Sequence, residues 1–551
     1  MKVDLSWLKS WHLVAFICVV ITVSYIQVFH NGFVWDDTRL IVTNQGIGDI
    51  NTLPKLFQGQ SLFESYGQIG KKHIYYKPLL GVWWMSNYAL WGGAKAWGFH
   101  ATQLALHLVN VALVFVLVKE LAKQYLSDKT SKIPQTLAFW IALLWGLHPA
   151  NSESIVYVAA GQEPLYLFWG LLSFYLVLKR ESLSNWLVEK GKWEAEKSPN
   201  LIAVLVGICW LLSLLSKEAG IVVAPIVVLY LVVVAQDQDW KRFAKVLIGT
   251  WTVYFLMRFW LGGVALASRS DSIPIHRASF FERLLTIPYV LFEHLRVISF
   301  PVDLFTGNFV VIEAVSLDLM LKVVVLVGVF VLMVLLARKD RFLRWLLLSG
   351  VLSIGLVSNL FPLDMTFSER WVYLPSLFFI WFWIQFLSKR LVWLAPLLMI
   401  IVSLFAVRVY ARVPNWQSEY TLAQHDKDYD VDGFQVAINY GMGLADQGRL
   451  DEAIEWWEKS IEMNPEYWVA YNNLGTAYLD KGEPERAKEY FLKVIELSNS
   501  ALGWENLAVL YWQENDPSLI QTLQQGLQYY PGNQKLRLIY ARAASPSADL
   551  N

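Results

Sequence analysis

The chain has 551 residues, of which 56% are hydrophobic and only 17% charged, against roughly one-quarter charged in an ordinary soluble domain. Formal net charge is zero, so there is no basic footprint and no nucleic-acid partner is expected. The two cysteines, Cys18 and Cys209, both lie in apolar runs, which excludes a disulfide framework and argues against thiolate chemistry.

The shortage of charge is confined to one part of the chain. From Val14 to Val409 apolar runs of bilayer-spanning length recur, and about eleven spans are predicted. They are Trp11–Phe29, His100–Val118, Ile133–Leu147, Pro164–Leu178, Leu201–Leu215, Ala219–Ala235, Phe243–Leu261, Leu317–Leu336, Trp345–Leu360, Trp371–Leu387 and Leu391–Tyr410. The first is long for the apolar region of a cleaved signal and no small-x-small site follows it, so it reads as a transmembrane helix. A further run, Leu284–Phe300, holds Pro288, Glu293, His294 and Arg296. It reads as a helix lying in the interface or buried against protein.

Lysine and arginine collect at 119–132, 179–197, 241–245, 338–344 and 389–390. If each cluster faces the cytoplasm, the spans alternate without conflict and the N-terminus is also inside. Asp36 and Asp37 then fall outside, as does the C-terminal part. No asparagine stands in Asn-x-Ser/Thr, which leans toward a bacterial source and a plasma-membrane location.

On that outer side the polar residues come in groups, and charge at a membrane boundary is a functional hypothesis by default. Asp36-Asp37, directly after the first span, is either a reactive pair or a solvated acidic loop. Lys77, beside Pro78, is a candidate phosphate contact, and the tryptophans that follow suit an interfacial belt. His148, Glu153 and Glu163 lie on a short linker bounded by Pro149 and Pro164. His148 is read either as a site residue or as a helix-end histidine bonded to backbone. Lys217-Glu218 forms a tight hairpin, where the lysine either snorkels or meets a phosphate. Glu369-Arg370 opens the tenth span, where the arginine either grips phosphate or pairs with Glu369 or Asp364.

The tail repeats with a period of 34: Gly441 matches Gly475, Gly448 matches Gly482, Ala453 matches Ala487 and Trp457 matches Phe491. This is the tetratricopeptide helix-turn-helix pattern, with about three units. Gln424 to Tyr440 is expected to supply a preceding helix. The reading is all-α: a polytopic helical membrane domain over 1–410, a linker or first helix over 411–433, and an α-solenoid over 434–551.

The ordered set Asp36-Asp37, Tyr76-Lys77-Pro78-Leu79, Phe99-His100 to Leu106-His107, His148-Pro149 to Glu153, Leu215-Ser216-Lys217-Glu218, Ser368 to Ser376 and the repeats resembles the TMTC proteins. These are transmembrane and tetratricopeptide-repeat O-mannosyltransferases of the GT-C fold. The resemblance implies transfer of a sugar, mannose in the family, from a polyprenyl-phosphate carrier to a protein hydroxyl on the extracytoplasmic side. It carries over Asp36 and Asp37 as the first acidic motif, with Asp37 favoured as base, Glu153 as the second, and Lys217-Glu218 and Glu369-Arg370 as later ones. The chain departs from the family's Gly-Arg-x-Asp/Glu, reading Gly161-Gln162-Glu163.

In chemical terms a carboxylate accepts the acceptor's proton while fixed positive charge meets the departing phosphate. Asp36 or Asp37 suits the first demand; Lys217, Arg370 and Lys77 suit the second. A divalent cation, magnesium or manganese, held by Asp37 and Glu153 is the alternative to the basic residues. The expected partners are the lipid-linked donor, a protein acceptor and membrane lipid. The competing reading is a non-enzymatic membrane scaffold whose repeats recruit exported proteins; a transporter ranks last, because only Arg258 lies deep in a predicted span.

Overall fold

The structure, a computed structural model, describes residues 9–59, 75–125, 133–191, 194, 197–264, 273–429, 433–498 and 500–544. Among these every extended element is a helix; one isolated antiparallel bridge joins Asn308 to Phe367. Each predicted span coincides with helix, though that over Trp345–Leu360 already ends at Gly355. Five helices are long and apolar enough to cross a membrane on their own: Ala96–Tyr125, Ser198–Ser216, Glu218–Ala235, Leu317–Ala337 and Trp393–Trp416. A sixth, Pro149–Val156 with Val158–Leu178, qualifies as a pair bent by 101°. Ser10–Ser24 and Ile133–Gly146 are apolar but shorter.

Helix Ile133–Gly146 is buried from Leu137 to Gly146 and packs against Ala96–Tyr125 at the centre of the bundle. Backbone and side-chain polar groups inside such a bundle need internal partners. His107 supplies several of them, bonding the Gly146 carbonyl at 3.0 Å and the Tyr373 hydroxyl at 2.7 Å. Asn110 donates to the Pro164 carbonyl at 2.8 Å, and Trp145 to that of Tyr373 at 3.0 Å. Four helices, Ala96–Tyr125, Ile133–Gly146, Gln162–Leu178 and Tyr373–Phe386, are thereby tied together.

Four of the five basic clusters, those at 119–132, 179–197, 241–245 and 338–344, meet at one end of the bundle. Lys179 pairs with Glu120, Arg180 with Asp237 and Asp239, Tyr125 with Asp340, and Arg341 with Gln236. Along the 30-residue helix Ala96–Tyr125, Lys119 at this end donates to Ser10. At its other end His100 bonds the Gly32 carbonyl at 3.2 Å. The run Leu284–Phe300 forms most of helix Phe280–Ser299 and its C-cap Phe300; the helix starts at a box made by Ser279 and Glu282 and buries Thr286, Val290, Glu293, His294, Val297 and Ile298. Phe280, Phe281 and Leu284 are exposed. It is a one-faced helix, as its polar content predicts.

The tail forms helix pairs Phe434–Asp446 with Leu450–Met463, Trp468–Asp480 with Pro484–Leu497, and Leu502–Gln513 with Leu519–Tyr529, then Gln534–Ala543. The single preceding helix expected over 424–440 is instead two, Glu419–Lys427 and Phe434–Asp446, the second being the first helix of the first repeat. Gly433 just before Phe434 is where the new helix starts. The 34-residue period has a direct packing cause. A Cβ on Gly475 would meet Phe491 at 2.5 Å, and one on Gly441 would meet Trp457 at 2.6 Å. The glycine lets two helices cross over an aromatic ring. Gly475→Ala is expected to destabilise the repeats by about 1–3 kcal/mol through overpacking, read as an earlier thermal transition of the solubilised chain.

Candidate active site

The backbone turns at Trp35, which sits in the left-handed region at φ 52°, and the two carboxylates that follow end in different surroundings. Asp37 is fully buried. It accepts the N–H groups of Ala159 at 2.7 Å, Val158 at 3.3 Å and Val34 at 3.5 Å. Burial pushes its carboxyl well above the usual range, with the three N–H groups pulling the other way. Asp37 thus ties the first loop to the turn Val158–Gly161. Asp36 is about half exposed, with Oδ1 on Arg39 at 3.0 Å and Oδ2 accepting from the Tyr157 hydroxyl at 3.2 Å.

Tyr157 is the hinge of the arrangement, and sequence reasoning passed over it. Its ring stacks on Trp416 at 5.7 Å, and Trp35 packs edge-on against both. The Arg370 guanidinium lies 5.9 Å from the Tyr157 ring centroid. One aromatic platform therefore carries a carboxylate at its hydroxyl end and a cation over its face, a favourable pairing of charge with the ring quadrupole.

Glu153 and Arg370 form one unit. The Glu153 carboxylate is fully buried and bridges two parts of the same residue, the Arg370 backbone N–H at 2.8 Å and its Nη1 at 2.9 Å. Ser368 donates to it as well, at 3.2 Å. Arg370 thus pairs with neither Glu369 nor Asp364.

A second group of charges lies alongside. Buried Glu163 pairs with Lys217. Glu218 takes the Tyr76 N–H at 2.8 Å and Arg258 at 2.9 Å, with Lys77 at 4.0 Å. Tyr75 donates to Asp364, and Lys77 lies 4.0 Å over the Tyr75 ring. Burial lowers the Lys77 pKa, opposed by Glu218, Asp364 and Glu163 and reinforced by Lys217. Arg370 in turn feels Glu163 and Asp364. The three cations singled out from the sequence therefore share one electrostatic neighbourhood, each beside its own carboxylate.

Two predicted residues stand apart. His148 is fully buried, its Nε2 on the Ile298 carbonyl at 2.9 Å and its Nδ1 accepting from the Ala150 N–H at 3.3 Å. Both ring nitrogens are occupied by backbone, which is the helix-end alternative. Glu369 is buried with its carboxylate 3.6 Å from Arg412, whose Nη1 also reaches His425 and Asp426. Burial pushes the Glu369 carboxyl up to about 8, with Arg412 opposing and Glu153 and Asp426 adding to the rise. A raised folded pKa gives stability that is present below the unfolded value and lost as pH climbs through the folded one. Wild-type stability is therefore expected to fall between pH 5 and pH 8 by up to about 1.4 kcal/mol per unit. Glu369→Gln should flatten that slope in a series of thermal melts.

Among the described residues no group of three or more histidines, cysteines, aspartates or glutamates gathers to hold a metal ion. Asp37 spends its oxygens on backbone N–H groups and Glu153 on Arg370 and Ser368. This donor set does not fit the predicted magnesium or manganese, and no step is routed through one.

Fold and site define a helical membrane protein with a charged aromatic centre at one end of its bundle and tetratricopeptide repeats attached there. Two family models match the tail, TPR repeat over residues 441–482 and Tetratricopeptide repeat over 469–500. Across most of the chain the curated relatives are protein O-mannosyl-transferases of the TMTC group. F38B6.6 of Caenorhabditis elegans is 24% identical over 81% of this chain and 62% of its own length. Tmtc3 of Drosophila melanogaster is 24% identical over 84% and 56%, and human TMTC3 22% over 86% and 54%. The TMTC resemblance read from the ordered motifs thus holds, while the chain spans only about half the length of these relatives.

Proposed function

We propose that the chain is a membrane-embedded glycosyltransferase of GT-C type that moves a sugar from a polyprenyl-phosphate carrier to a protein hydroxyl on the extracytoplasmic side. The names of its relatives make mannose the first sugar to test. The observation that carries the reading is the Tyr157 platform, with accessible Asp36 at the hydroxyl and Arg370 over the ring.

In the reaction the acceptor oxygen attacks the anomeric carbon of the sugar, and its proton passes to Asp36. The bond from that carbon to the carrier phosphate breaks, and the electron pair leaves with the phosphate. General-base help of this kind is worth about 10²–10⁴-fold. Arg370, Lys217 and Lys77, each held in place by its carboxylate partner, meet the growing charge on the phosphate, and charge fixed in a dry site acts without reorganisation. Asp37 and Glu153 position these groups rather than react.

The test is transfer of labelled sugar from polyprenyl-phosphate-mannose to hydroxyl-bearing peptides by the purified chain in lipid. Activity that survives in Asp36→Asn would sink the assignment, and a chain inactive with every lipid-linked sugar would favour a scaffold. The sidedness rests on the clustering of basic residues at the far end of the bundle. Protease added to sealed cells is expected to remove residues 413–551; protection of that tail would reverse the orientation.

A further inference from the structure

The segment that joins the last span to the repeats reads in sequence as a connector, yet its residues 413–419 hold the acidic loop at Asn31, Gly32 and Trp35. Asn31 donates through Nδ2 to the Val413 carbonyl at 3.0 Å, and the Gly32 N–H donates to the Gln417 carbonyl at 3.0 Å. Trp35 packs on Trp416. The last of these contacts is a side chain: Glu419 Oε1 accepts the Trp35 N–H at 3.1 Å.

Trp35 is where such a contact matters most. A bulky residue at φ 52° is a backbone outlier that persists only when its surroundings hold it there. This turn separates the fates of the next two carboxylates, Asp37 inward and Asp36 outward. Glu419 is itself held. Ser418 and Thr421 form a reciprocal cap at the start of helix Glu419–Lys427, and an acid in a first turn is favoured by the helix dipole. Its neighbour Tyr420 stacks on Tyr440 of the first repeat at 5.6 Å. Consecutive residues of one helix thus touch the acidic loop and the repeat domain.

We infer that Glu419 is a positioning residue for the acidic loop, holding the left-handed turn at Trp35 through its N–H and so aiming Asp36 at the acceptor. Through Tyr420, the same helix makes the aim of Asp36 depend on the seating of the first repeat. The catalytic consequence rests on the glycosyltransferase reading; the conformational one does not.

Two variants of the full chain in lipid decide it. Glu419→Ala removes the acceptor, whereas Glu419→Gln keeps an oxygen that can receive the Trp35 N–H. Hydrogen–deuterium exchange over residues 33–38 is expected to speed up about tenfold in Glu419→Ala, the loss of roughly one hydrogen bond, and to stay near wild type in Glu419→Gln. Sugar transfer should lose about tenfold or more in kcat in the alanine variant, with KM for the donor unchanged, and should recover in the glutamine variant. Unaltered exchange in Glu419→Ala, or a glutamine variant as impaired as the alanine one, overturns the inference. Asp36→Asn, with exchange at 33–38 unchanged, isolates the chemical arm. A wild-type chain without transfer activity defeats the transferase reading, and the exchange comparison still decides the role of Glu419.

Discussion

Asp36→Asn is expected to lower sugar transfer by about 10²–10⁴-fold while leaving the melting temperature of the chain unchanged. The Asp36 side chain is 49% exposed, and its partners are Arg39 and the Tyr157 hydroxyl. An asparagine Oδ1 can still accept from Tyr157, so the platform stays in place while the proton acceptor is lost. Asp37→Asn should behave differently. Its carboxylate receives N–H groups on both oxygens from Val34, Val158 and Ala159. A carboxamide would turn an NH₂ toward one of these donors, which costs about 1–3 kcal/mol for a buried group left unsatisfied. Both transfer and stability should then fall, and a stabilising lipid should return part of the activity. The pair is therefore told apart by melting the two variants beside their assays. Equal loss of stability in both would mean that Asp36 is as structural as its neighbour.

What the sequence made legible follows the range over which each signal acts. Apolar runs and the spacing of Gly441 and Gly475 are local, and each matched a helix or a helix crossing. Four of the five lysine and arginine clusters also come together in space, joined through Glu120, Asp239 and Asp340. The roles within the site were less accessible. Asp36 and Asp37 are adjacent and chemically alike, and the resemblance favoured Asp37. Their difference comes from the turn Val158–Gly161 closing over one of them, across more than a hundred positions. Glu153 and Arg370 were both marked, but their pairing spans 217 residues, beyond any periodic pattern. Tyr157 and Glu419 were missed for opposite reasons. The tyrosine lay in a loop searched only for acids and histidine; the glutamate lay in a stretch read as a linker. A search for aromatic residues in a loop already marked by its acids would have found the first. The second becomes visible only once the chain has folded back on its first loop.

Arg370 and Glu153 offer the other large effect, because here stability and chemistry are carried by the same contact. Breaking a buried ion pair by removing one partner costs about 3–5 kcal/mol, since the other charge is left uncompensated. Arg370→Ala should therefore both unfold readily and transfer no sugar, and alone it would say little about catalysis. Arg370→Lys keeps the charge but not the planar fork. A lysine would still neutralise Glu153, so the chain should fold, while the positive charge would leave the face of Tyr157. Transfer is expected to fall about 10²–10³-fold, the scale of losing one preorganised electrostatic contact. The deciding double variant replaces both partners with apolar residues of similar volume, Glu153→Leu with Arg370→Met. Such exchanges are often neutral or stabilising, so melting should return toward wild type. Only the backbone N–H of residue 370 and the Ser368 hydroxyl would be left seeking new acceptors. If the cation over Tyr157 meets the leaving phosphate, this restored fold stays inactive. Recovery of transfer together with stability would make Arg370 a structural strut, and the phosphate would then fall to Lys217 and Lys77.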